Sequence, residues 1–67
     1  MTIQRARKYI GYAREYGEVK FCEDGYDYFL GFDQFTSQYS LRYFDGTYWQ
    51  TIKCTSKVSD LCKLLQA

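Results

Sequence analysis

Histidine and proline are both absent from this 67-residue chain, cysteine occurs only three times, and no long apolar run interrupts it. Without histidine the commonest general base is missing, and the Ser-His-Asp and Cys-His arrangements of nucleophilic catalysis go with it. No glycine-rich phosphate loop, metal motif or nucleophile elbow takes their place. Cys22, Cys54 and Cys62 form no CxxC pair and are odd in number, which suits reduced, buried thiols better than a disulfide framework. A zinc site would need a further ligand, and histidine does not supply it. Glu23, Asp24 and Asp27 surround a tight turn, and Lys53 and Lys63 neighbour Cys54 and Cys62 in sequence only. The chain is therefore expected to be no enzyme and to use neither cofactor nor metal. There is no proline-rich linker, repeat or low-complexity stretch, so residues 1–67 read as one small domain. The basic N-terminal stretch has no apolar segment behind it, and no run approaches the roughly 18 apolar residues of a membrane span, which makes a cytoplasmic location the expectation.

What the chain has in abundance is aromatic: eight Tyr, five Phe and the single Trp49. Val, Ile and Leu together contribute only ten residues, so the rings are needed for the core. A two-layer domain near the lower size limit for independent folding cannot enclose all of them. Some rings are expected to stay exposed as a contact site, or to be covered in a homodimer.

The net charge of +1 is unevenly distributed. Residues 1–20 carry five cations against two carboxylates, residues 21–48 five carboxylates against Arg42, and residues 49–67 three lysines against Asp60. Basic ends and an acidic middle permit a charged protein interface or a phosphate-facing helix, without the strongly basic total typical of nucleic-acid binders.

Periodicity and turn chemistry give the organisation. Ile3, Ala6, Ile10 and Ala13 share one helical face from Ile3 to about Tyr16, with Tyr9, Tyr12 and Tyr16 along its edge, Thr2 placed to cap it and Gly17 to end it. Asp24-Gly25 and Asp45-Gly46, each flanked by β-prone residues, predict two hairpins with two-residue type I′ turns. That register pairs Phe21 with Tyr28 and Val19 with Leu30, then Tyr43 with Tyr48, Tyr39 with Ile52 and Arg42 with Trp49. A bulge would shift it by one. The short connection Asp33–Ser37 excludes a parallel crossover, so the strands form an antiparallel meander. Ser56 is placed as the N-cap of a final helix carrying Val58, Leu61, Cys62 and Leu65 on one face. The expected fold is α+β, a two-layer α-β-β-β-β-α sandwich with a four-stranded antiparallel meander and both helices on one face. Alternation places Val19, Phe21, Tyr26, Tyr28, Leu30, Phe32, Tyr39, Leu41, Tyr43, Tyr48, Ile52 and Cys54 on the core side of the sheet.

The other side then carries Phe29, Arg42, Phe44, Trp49 and Lys53, with Arg42 across from Trp49 as a cation–π pair worth about 0.5–1 kcal/mol. Trp, Tyr and Arg dominate interface energetics, so Phe29, Arg42, Phe44 and Trp49 are the candidate protein-binding residues. A second candidate surface is the basic helix. Arg5, Arg7 and Lys8 sit near its N-terminus, where the helix dipole disfavours cations, and Arg14 shares a flank with Arg7. These residues, with Lys53 or the open sheet, are the candidate nucleic-acid-binding set.

Three resemblances bear on these readings. The order helix, sheet, helix resembles the double-stranded-RNA-binding domain, but Ser56-Lys57-Val58-Ser59-Asp60 does not match that family's basic signature at the start of its last helix. Leu41 to Leu65, a hairpin around Asp45-Gly46 followed by Thr55-Ser56-Lys57 and an apolar helix, is similar to the sheet-plus-helix DNA-binding modules at the N-termini of phage integrases, whose sheets are more basic. In size and layout, though in no motif, the chain resembles small phage-encoded inhibitors of host defence such as anti-CRISPR proteins. The leading expectation is a non-catalytic protein-binding module, an inhibitor or regulator that acts by occluding a partner. The alternative is a small nucleic-acid-binding domain.

Overall fold

The computed structural model describes residues 1–66, in the order α1 (Ile3–Tyr16), β1 (Glu18–Glu23), β2 (Tyr26–Asp33), β3 (Gln38–Phe44), β4 (Trp49–Thr55) and α2 (Val58–Gln66). The fold is α+β, and the strands form one antiparallel sheet in the order β1-β2-β3-β4. α1 begins where Thr2 Oγ1 accepts a hydrogen bond from the Arg5 N–H, 3.3 Å away. It ends at Gly17, whose left-handed φ of 91° turns its N–H back onto the Ala13 carbonyl at 2.8 Å. The Gly17 carbonyl in turn accepts from the Phe32 N–H, which fastens the helix exit to β2.

Both helices cover the same face of the sheet and touch each other. Ala6, Ile10 and Ala13 of α1 and Leu61, Cys62 and Leu65 of α2 bury against Phe21, Leu30, Tyr39 and Leu41. The two alanines let α1 approach the strands closely, and Tyr9 closes its β1 flank by stacking on Phe21 at 4.3 Å and 8°. Among the described residues no helix is long and apolar enough to cross a membrane.

The first hairpin has the expected two-residue turn. Asp24 and Gly25 both have positive φ, and Phe21 pairs with Tyr28 and Val19 with Leu30. The second hairpin departs from expectation. Asp45 Oδ1 accepts from the N–H groups of Thr47 and Tyr48, each at 2.8 Å, and Oδ2 accepts from Gln50 Nε2 at 2.9 Å. This side-chain turn makes the loop Asp45–Tyr48, so Phe44 pairs with Trp49, Tyr43 with Gln50 and Arg42 with Thr51. The expected pairings of Tyr43 with Tyr48 and Arg42 with Trp49 do not form. A shift of two keeps every side chain on its expected face, so Trp49 still lies on the helix-free side.

A bulge then shifts the register by one: Leu41 pairs with Lys53, Tyr39 with Thr55, and Ile52 stands unpaired. Lys53, expected on the open face, therefore turns to the helix side, and Cys54, expected in the core, turns to the open side opposite Ser40. Tyr48 and Tyr26, expected on the core side, are exposed, at the loop and at the start of β2. The start of α2 is organised by Thr55 in place of Ser56: the Thr55 hydroxyl accepts from the Lys57 N–H at 3.1 Å and donates to Asp60 Oδ2 at 3.0 Å.

Candidate functional site: the helix-free face of the sheet

With both helices on one side, the alternation of the strands lays out the other side in rows. One row reads Lys20, Phe29, Arg42 and Thr51 across the four strands, and the next Glu18, Gly31, Ser40 and Cys54. Trp49 opposite Phe44 ends the face toward the second hairpin. Gly31 has a specific task. A Cβ built there would lie 3.1 Å from Phe29 Cε1, so the missing side chain lets the Phe29 ring lie along the sheet.

Phe29, Phe44 and Trp49 form one cluster. Trp49 meets Phe29 edge-on at 6.3 Å and 68°, and Phe44 at 5.3 Å and 53°, geometries that match aromatic quadrupoles. Two neighbours hold the indole while 44 % of it remains exposed. Lys20, Phe29, Arg42 and Trp49 line a hollow of about 200 Å³, which Arg42 and Trp49 border diagonally, without the cation–π contact expected between them. Lys20 and Arg42 are balanced on this face by Glu18 and Asp27. The surface is aromatic and close to neutral.

The basic residues do not converge. Arg5 donates to the Tyr9 hydroxyl at 3.2 Å and pairs with Glu23 at 3.4 Å, and both contacts raise its pKa further. Lys8 lies 5.9 Å from the centroid of the Tyr12 ring. Arg7 and Arg14 occupy the other flank of α1, where Arg14 borders a groove with Tyr16, Phe32 and Phe35. Lys53 faces α2. The helix cations and the open sheet thus lie on opposite layers of the molecule.

Two features escaped sequence reasoning. Lys20 borders the aromatic hollow, which its place in the alternation of β1 foreshadows. Phe35, 92 % exposed in the β2–β3 loop beside the exposed Tyr16, is a large ring among turn residues, and that incongruity was its signal. Cys22 and Cys54 are exposed and Cys62 is buried, so only one thiol behaves as the expected small core hydrophobe. Among the described residues no three Cys, Asp or Glu side chains gather closely enough to hold a metal ion.

No known protein family, curated protein or solved structure matches this chain.

Proposed function

We propose that this protein is a non-catalytic protein-binding module that docks through the helix-free face of its sheet and regulates its partner by occlusion. One observation carries this reading: Trp49 is held by Phe29 and Phe44, half exposed, beside Arg42 and Lys20. Rings already fixed by their neighbours lose little side-chain entropy on binding, and Trp and Arg are the residue types that most often dominate interface energies. The hollow between two cations and two rings suits a partner that inserts an apolar side chain next to a carboxylate. Glu18 and Asp27 on the same face oppose a phosphate backbone, which sets the protein reading above the nucleic-acid one. Three free thiols fit a reducing compartment such as the cytoplasm.

The discriminating experiment follows the emission of Trp49 while single- and double-stranded DNA and RNA are added at low and at physiological salt. Protein docking predicts red-shifted emission that nucleic acid leaves unchanged. Salt-sensitive quenching would transfer the site to nucleic acid.

A further inference from the structure

The edges of the sheet differ, and the difference points to a second binding surface independent of the aromatic face. At β1, α1 lies close on the helix side of the strand, with Tyr9 stacked on Phe21 and Arg5 paired to Glu23. At β4 nothing comparable lies outside the strand: it is the last of the sheet, and every residue from Trp49 to Cys54 is exposed. One side of its backbone is left free to pair with an added strand.

The side chains along this edge define the occupant. The bulge turns Ile52 and Lys53 both toward the helix layer, where they meet the outer flank of α2. Ile52 is 40 % exposed, and Val58 and Leu64 are each 38 % exposed. Lys53, Asp60, Lys63 and Leu64 enclose a hollow of about 240 Å³. Lys53 and Lys63 outnumber Asp60 around it, Lys57 precedes the same helix, and Asp60 accepts the Thr55 hydroxyl, while Glu23 and Asp24 line the neighbouring hollow that Ile52 and Leu64 share. A second copy of the chain would bring the same lysines to a two-fold contact and be repelled. An inward-turned lysine and a bulge are devices that deter indiscriminate edge pairing, and a carboxylate opposite the lysine relieves that deterrent.

We infer that the free edge of β4 and the outer flank of α2 bind an extended acidic peptide, which adds as a fifth strand and sets alternate glutamate or aspartate and aliphatic side chains against Lys53, Lys63, Ile52 and Leu64. Backbone pairing supplies the general affinity, and the lysine-lined hollow supplies the selection.

The test uses the full chain labelled with nitrogen-15 and two eight-residue peptides, one alternating threonine with glutamate and valine, the other with lysine in place of glutamate. The acidic peptide is expected to shift the amide signals of β4 and of Lys57 to Leu64, and the basic one to leave them in place. Lys53→Glu with Lys63→Glu is expected to weaken the acidic peptide at least tenfold, its amide spectrum reporting that the fold is kept. Absence of shifts from Gln50 to Thr55, equal binding of both peptides, or shifts confined to Lys20, Phe29, Arg42 and Phe44 would overturn the inference. So would β4 signals that change with protein concentration alone, since a second copy would then be the occupant.

Discussion

Asp45 closes the second hairpin with one carboxylate, and its backbone N–H also donates to the Tyr48 carbonyl at 3.0 Å. The N–H groups of Tyr48 and Thr47 and the Gln50 amide stabilise its charged form and hold its pKa below the usual carboxylate value. The sign of the pH dependence follows: the contribution is complete above the unfolded carboxylate pKa and is lost as pH falls through the depressed folded value. Asp45→Asn is expected to lower stability at neutral pH and to remove that component of acid sensitivity, as read from thermal melts of the two proteins across the acid range. Gly31 makes a similarly local prediction. In Gly31→Ala the new Cβ meets the Phe29 ring, which must tip away by a few tenths of an ångström. The fold is expected to persist, because the alanine gains about 0.5–1 kcal/mol in backbone entropy against the displaced ring. The emission of Trp49 is expected to move to the red as its edge contact with Phe29 loosens.

At the scale of elements, the start of α2 separates what sequence reveals from what it conceals. Ser56 stands where an N-cap is expected, yet the buried Thr55 holds both the Lys57 N–H and Asp60. Thr55→Val preserves shape and removes both bonds, so it is expected to cost about 1–3 kcal/mol in urea unfolding, while Ser56→Ala changes stability by about 0.5 kcal/mol or less. The expectation failed because α2 starts at Val58, with Lys57 in the cap position, and the Thr55 hydroxyl bridges the turn that precedes it. α1 was legible from Thr2 to Gly17, since the apolar spacing and both caps agree. The first hairpin was legible because Asp24-Gly25 takes positive φ at both positions. The second was legible as a hairpin but not in its register: an Asp-Gly pair serves equally for a turn made by backbone conformation and for one made by the Asp side chain, and Asp45 makes the latter. The bulge at Ile52 carries no sequence signal, so the crossing of Lys53 to the helix side could be seen only in the fold. The aromatic face survived these errors because a two-residue slip preserves the alternation.

At the scale of the whole molecule, 30 × 24 × 18 Å in extent, the two layers have different surfaces. One broad face is given to the helices that close the core, and the other is left to Trp49 and its neighbours. A chain of this size thus divides its aromatic residues by layer: Phe21 and Tyr39 are buried under the helices, while Phe29 and Phe44 are half-buried and Trp49 is exposed on the other face, where the proposed partner would dock. The most direct test of that division is a capture experiment from the cell that makes the protein, comparing wild type with Trp49→Ala and with Arg7→Glu plus Arg14→Glu, after nuclease treatment and at physiological salt. A protein partner is expected to be retained by wild type and by the helix variant and lost with Trp49→Ala. A partner indifferent to Trp49→Ala, or retention that nuclease or the helix substitutions abolish, would contradict that division.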